Sequence, residues 1–465
     1  MRLKSLRSNW ILFFLCPYLA GLAAFGRRFA YLRINIAGFP LFISEITLGL
    51  ALLYLLTQKD IKNKISTLPK NISIPFLLFL LWGTLRLVLS YLDGQYSAFQ
   101  LVKDFAICFL SVWFFAFYFL NNIQLKACLI STFVGAALGN LYEWYTFASI
   151  GTFAEHFVNE IGGPAGNLAI TALFPFIFTL VPRNIAWALS LTYGHSLFGQ
   201  LFFYFKKSWM LVFLLVGLPM ATLFNKNGDK VPRDLEIAKR LSFILSAFIA
   251  GTLLSALTAF LVSKRDPIYP TKHDGTSMVY NLPFFERDRV KGDSRFGNLI
   301  GKAAKEIADN PTNYFFHGEE DQGGKLAWRL HMWKQAWNGI LESPIIGKGF
   351  GPLTVKTHPW GKPAVDEVTK TPISGPHNSF LTVIFRVGFF GFILFLLPIV
   401  FILQNFIRSN KNKPYLWLTF FGFIALVLNT AFNVILENPQ GAVWFWMFLA
   451  FLGKKSIDSE EFSTI

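Results

Sequence analysis

The chain has 465 residues, of which 53% are hydrophobic and only 15% charged, with 53 phenylalanines. That balance excludes an ordinary soluble globular protein. The net charge of +16 would suit nucleic acid, but the lysines and arginines gather in short loops between apolar runs, so nucleic-acid binding is not expected.

Runs of about 20 apolar residues can cross about 30 Å of hydrocarbon. In chain order such runs cover residues 9–25, 35–57, 73–92, 101–121, 126–148, 166–183, 185–204, 209–224, 241–263, 379–406, 414–435 and 440–453. The expectation is an all-α polytopic membrane protein with about 12 transmembrane helices. The first run lacks a following A-x-A-like cleavage site and reads as a retained span rather than a signal peptide. Cys16, Cys108 and Cys128 each fall inside an apolar run, without a C-x-x-C, and read as small buried hydrophobes. Three regions follow: residues 1–263 with about nine spans, one large, partly helical extracytoplasmic loop over 264–376, and residues 377–465 with about three spans.

Positive charge orients the chain. Arg2, Lys4 and Arg7, the lysines at 59, 62, 64 and 70, the basic residues of 225–240, Arg408, Lys411 and Lys413, and Lys454 and Lys455 all fall on one side for an even number of spans. That side is expected to be cytoplasmic, with both termini there and the long loop opposite. Arg27, Arg28 and Arg33, and the pair Lys206–Lys207 in a short outer turn, break the bias.

Within the long loop, residues 324–342 carry Leu326, Leu330, Trp333, Trp337, Ile340 and Leu341 at three- and four-residue spacing, the mark of an amphipathic helix. Pro344, Gly347, Gly349 and Gly351 end it in a turn. Its three tryptophans suit the outer membrane interface; packing on a small core of the loop is the alternative. The loop closes with "GPHNSFL", so His377 and Asn378 stand at the lip of the next span.

Arg329, Lys206, Lys207 and His377 would together form a cationic patch with a titratable base at the outer face. Arginine offers a fork to phosphate oxygens, lysine a point charge, and neutral histidine can accept a hydroxyl proton. Each residue also has a plainer reading: Arg329 snorkelling, His377 an interface residue, Asn378 an N-cap, the lysines touching lipid head groups. Arg86, Glu143 and Arg386 lie inside spans, where charges either serve function or pair with one another. No metal-binding spacing, Walker loop or nucleophile elbow occurs, so metal-free and nucleotide-free chemistry is expected.

The segment "AWRLHMWKQAWNGILESPIIGKGFG", followed after a gap by "GPHNSFLTVIFRVGFFGFILFLL", resembles the O-antigen ligase and O-antigen polymerase superfamily. The matching positions are Arg329, Pro344 with Gly347, Gly349 and Gly351, then His377, Asn378, Leu381, Gly388 and Gly391. The segment "GGPAGNLAITALFPFIFTLVP" leading into the sixth span is similar too. The resemblance implies a GT-C-like fold in the bacterial inner membrane, with a periplasmic loop. It implies a glycosyltransferase whose donor is a glycan on undecaprenyl pyrophosphate, with no other cofactor. The acceptor would be the lipid A core in a ligase, or a second lipid-linked glycan in a polymerase. By resemblance Arg329 matches a pyrophosphate-binding arginine, and His377 the histidine that activates the acceptor hydroxyl. The family's Ser-Arg-Gly turn is absent; by position in the topology, Lys207 or Lys206 would supply that second cation. The rival from another class is a membrane transporter of a small anion, and a structural membrane scaffold comes third.

Overall fold

The structure, a computed structural model, describes residues 9–30, 32–36, 39–58, 60–150, 324–356, 375–409 and 414–454, with isolated positions between 185 and 258. The expected spans from 166 to 263, apart from those isolated positions, Lys206 and Lys207, and the loop segments 264–323 and 357–374 lie outside the described residues.

The described chain is mostly helical. Helix α1 (Leu12–Ala30) is followed by a hairpin of β1 (Arg33–Ile36) and β2 (Phe39–Phe42), antiparallel with Ile34 opposite Leu41. Then come α2 (Ile43–Leu56), α3 (Ile61–Thr67), α4 (Lys70–Leu92) and α5 (Ala98–Phe109). A 3-10 turn at Leu110–Val112 joins α5 to α6 (Trp113–Tyr118), and α7 spans Asn122–Ile150. After the undescribed middle come α8 (Gly324–Glu342), α9 (Ser379–Ser409), α10 (Pro414–Phe432) and α11 (Pro439–Gly453). Four stretches among the described residues are long and apolar enough to cross a membrane: Lys70–Leu92, Ala98–Tyr118, Asn122–Tyr142 and Ser379–Ser409. Leu12–Gly26, Ile43–Leu56 and Pro439–Gly453 are apolar but shorter.

The hairpin corrects the expected all-α reading and the span drawn over 35–57. Ile34 and Ile36 are β-branched and favour extended backbone. Pro40 has no N–H to give a helix. The helix therefore starts only at Ile43, with Glu45 reaching back to the Phe42 N–H at 3.0 Å.

The helices pack as α1 on α7, α4 on α9, α6 on α11 and α8 on α9. Gly135 and Gly139 of α7 let the helices meet backbone to backbone: a Cβ at Gly135 would sit 2.2 Å from the Ala20 carbonyl oxygen. This is the small-residue contact that membrane helices use in place of a hydrophobic driving force. Helix α11 is buried on every side from Gly441 to Leu452 and is apolar throughout, as a central helix must be. Its Trp446 meets Phe76 of α4 and Phe395 of α9 edge-on.

Candidate functional site

The upper half of α9 organises the site. Its first turn is capped by Asn378, whose Oδ1 accepts the Leu381 N–H at 3.1 Å while its carbonyl accepts that of Thr382 at 3.1 Å. The residue before the cap, His377, has φ 51, alone among the described non-glycine residues in taking a positive φ. A left-handed histidine costs roughly 1–3 kcal/mol, so the surroundings hold it there.

Those surroundings are α8 and the loop between α10 and α11. Trp333 of α8 donates its indole N–H to the carbonyl of Pro376 at 2.9 Å, fastening that helix beside His377. Arg329, one turn earlier, is half-buried, and no hydrogen bond or ion pair engages its guanidinium among the described residues. From below, Ser379 donates to Glu437 Oε2 at 2.8 Å and accepts the Ile435 and Leu436 N–H groups at 2.9 and 3.2 Å.

The electrostatics follow from this packing. Burial, and then the charge of Arg329, push the His377 imidazole from 6.5 down to about 4. It is therefore neutral at physiological pH. Burial also lowers the Arg329 pKa, though a guanidinium stays protonated. Burial raises the Glu437 carboxyl, opposed by the Thr382 and Ser379 hydroxyls.

Below this level α9 is broken at Gly388 (φ 70, ψ 179). A break in a spanning helix strands backbone groups, and lipid offers them no partner. Here the turn after α8 supplies them. The carbonyls of Phe385 and Arg386 accept the N–H groups of Lys348 and Gly349 at 2.7 and 3.0 Å. The carbonyl of Val387 accepts the Trp82 indole N–H at 2.8 Å. The freed N–H groups of Phe389 and Phe390 donate to the carbonyls of Pro344 and Ile345 at 2.8 and 3.2 Å. Only glycine permits this approach: a Cβ on Gly347 would lie 2.4 Å from the Gly388 nitrogen, and one on Gly388 would lie 2.1 Å from the Ile345 oxygen.

The charges expected inside spans serve the same turn. Arg386, 2% exposed, pairs with Asp104 at 2.8 Å and donates to the carbonyls of Gly349 (3.3 Å) and Pro352 (2.6 Å). Asp104 also accepts the Gly351 N–H at 2.9 Å, and Arg86 donates to the Gly347 carbonyl at 2.8 Å. Ser90 accepts the Phe350 N–H at 3.0 Å and Gln100 donates to the Gly351 carbonyl at 2.6 Å. Arg86 and Arg386 are thus structural; the side chain of Glu143 lies outside the described residues.

The expected apolar stripe of the loop helix divides into two edges. Met332, Ala336 and Ile340 face inward, the last against Ile384 and Phe385, while Leu330, Trp337 and Leu341 are exposed. Hydrophobicity alone could not tell which apolar edge meets protein, because this helix carries two.

The structure thus brings Arg329, His377 and Asn378 together. The family model for O-antigen ligase matches residues 162–396, half the chain, and takes in Arg329, the glycine turn, His377 and the upper part of α9. The chain belongs to the O-antigen ligase family. At the level of that family it is an O-antigen ligase-type membrane glycosyltransferase. No curated protein matches it significantly. Within this O-antigen ligase framework, sequence reasoning overlooked Asp104, Gln100, Ser90 and Glu437. Glu437 carried a readable signal, as an acidic residue in the short polar segment "ENPQG" between two apolar runs.

Proposed function

We propose that the chain transfers a glycan from undecaprenyl pyrophosphate to a sugar hydroxyl at the outer leaflet of the bacterial inner membrane. Its termini would be cytoplasmic and its long loop periplasmic. The observation that carries this reading is the pairing of Arg329, without a carboxylate partner among the described residues, with a neutral His377 held in a strained backbone. A half-buried guanidinium that no described carboxylate neutralises invites an anion, and the pyrophosphate of the donor is one.

The acceptor hydroxyl gives its proton to His377 while its oxygen attacks the anomeric carbon. The bond from that carbon to the pyrophosphate oxygen breaks, and the electron pair leaves on undecaprenyl pyrophosphate, held by Arg329. Attack opposite the leaving group inverts the anomeric centre, and no step calls for a metal ion. Lys207, or Lys206, would provide a second cation. In the free protein the imidazole is a weak base. A pyrophosphate docked on Arg329 offsets that positive charge and raises the basicity of His377 when it is needed. Asn378, by capping α9, fixes the direction of the histidine.

The ligase form would place the glycan on the lipid A core and so complete lipopolysaccharide; the polymerase form would lengthen a second lipid-linked chain. The transporter reading loses its main support, since Arg86 and Arg386 are occupied by the glycine turn. The test is a transfer assay with purified protein, lipid-linked donor and both acceptors, with and without EDTA. Product on lipid A core identifies a ligase, and product only as a longer lipid-linked chain a polymerase. Loss on chelation would contradict the metal-free step.

A further inference from the structure

Two helices give the height of the glycine turn independently. Helix α4 begins at Lys70 and meets the turn through Ser90, about 30 Å away at 1.5 Å per residue. Helix α9 has Arg408 in its last turn and meets it at Gly388, again about 30 Å away. Both lengths equal the hydrocarbon thickness, so the turn lies at the boundary opposite the basic ends. Its backbone groups paired with α9 can sit there without the penalty of unpaired peptide in lipid.

One flank of the turn carries apolar side chains that face outward. Ile345 is 70% exposed and Leu341 59%, with Ile346 beside them. The patch continues without a step onto a spanning helix: the Ile345 carbonyl holds the Phe390 N–H, and the Trp337 ring meets that of Phe389 edge-on at 6.3 Å. Phe389, Phe390 and Ile393 are themselves exposed. On the polar flank Glu342 and Lys348 form an ion pair.

We propose that Leu341, Ile345 and Ile346 are inserted into the hydrocarbon edge of the outer leaflet, with lipid acyl chains as their partner. This tip anchors α8 to the bilayer and sets how far Arg329 and His377 stand outside it. The anchor needs only the membrane topology, not the transfer chemistry, so either can fail alone.

The test is an environment-sensitive NBD label on Ile345→Cys, in vesicles of phosphatidylcholine and phosphatidylglycerol. The same label on Ile346→Cys serves if the first variant does not fold, and Glu342→Cys reports the polar flank. The wild-type chain gives the background from its own cysteines. Quenchers are iodide on both sides of the membrane and lipids spin-labelled at acyl carbon 5 or 12. The expected result at 345 is stronger quenching by the shallow spin label than by the deep one, and iodide quenching several-fold weaker than at 342. Equal iodide quenching at 345 and 342 would overturn the proposal. So would protection from all quenchers, which would mean that protein covers the tip, or stronger quenching by the deep label.

Discussion

The two ends of the upper segment of α9 differ in how their polar groups are treated. At Gly388 three orphaned carbonyls and two orphaned N–H groups all find partners, and the charges alongside are paired or bonded to carbonyls. At His377 a non-glycine residue takes φ 51 beside an arginine with no hydrogen bond among the described residues, and the imidazole is held far from its ordinary pKa. The turn pairs the backbone groups that the break exposes, leaving only the Nε atoms of Arg86 and Arg386 without a partner among the described residues, whereas the His377 end keeps backbone strain and a guanidinium that no described carboxylate pairs. In the function proposed above, the glycine turn is the mount and the Arg329–His377 pair the working part.

That contrast can be broken from either side. The largest effect should come from Gly388→Val. Its side chain would collide with the Ile345 carbonyl in a backbone that β-branched residues reject, and no monodisperse folded protein should elute after detergent extraction. Next is Asp104→Ala, which leaves Arg386 buried and unpaired; a loss of about 3–5 kcal/mol should appear as a lower thermal midpoint. If either variant were as stable as the wild type, the turn would not be the mount.

Protonation sharpens the other side. A histidine whose folded pKa, about 4, lies below its ordinary 6.5 contributes stability that is complete above pH 6.5 and lost as pH falls toward 4. Because the raised Glu437 carboxyl acts with the opposite sign, the comparison is with His377→Gln: a pH dependence of the thermal midpoint identical in the two proteins across that window would contradict a buried, neutral His377. The acid limb of kcat/KM reports the free protein, so it should lie well below that of an ordinary histidine. In Arg329→Gln the residual activity should show that limb moved upward, but only part of the way to 6.5, because burial is the larger cause. The smallest effect is Asn378→Ala, about 1 kcal/mol of stability for the lost cap, measured by the same thermal midpoint.

Much of this was legible in the chain. Residues 324–342 announced a helix by spacing, Pro344 and the glycines announced its end, and Asn378 announced a cap, because each acts through local backbone preference. The role of Gly388 was not legible locally. It depends on a turn some 40 residues earlier arriving at the break, and in isolation a glycine in an apolar run is simply a glycine. The partners of Arg86 and Arg386 were hidden for the same reason. Asp104 sits in a run read as membrane, where nothing in the sequence says which arginine it faces. The hairpin at 33–42 was missed because hydropathy cannot separate a short apolar strand from the start of an apolar helix.

The most direct measurement is His377→Gly, assayed for glycan transfer from a lipid-linked donor and for thermal stability in the same preparation. Glycine accepts φ 51 without strain, which offsets the loss of the buried imidazole, so the variant should fold with a thermal midpoint close to that of the wild type. Loss of the base should lower transfer by about 10²–10⁴-fold. Stability kept with transfer abolished is the result predicted here. Transfer at the wild-type rate from the stable glycine variant would show that His377 is part of the mount and not the base.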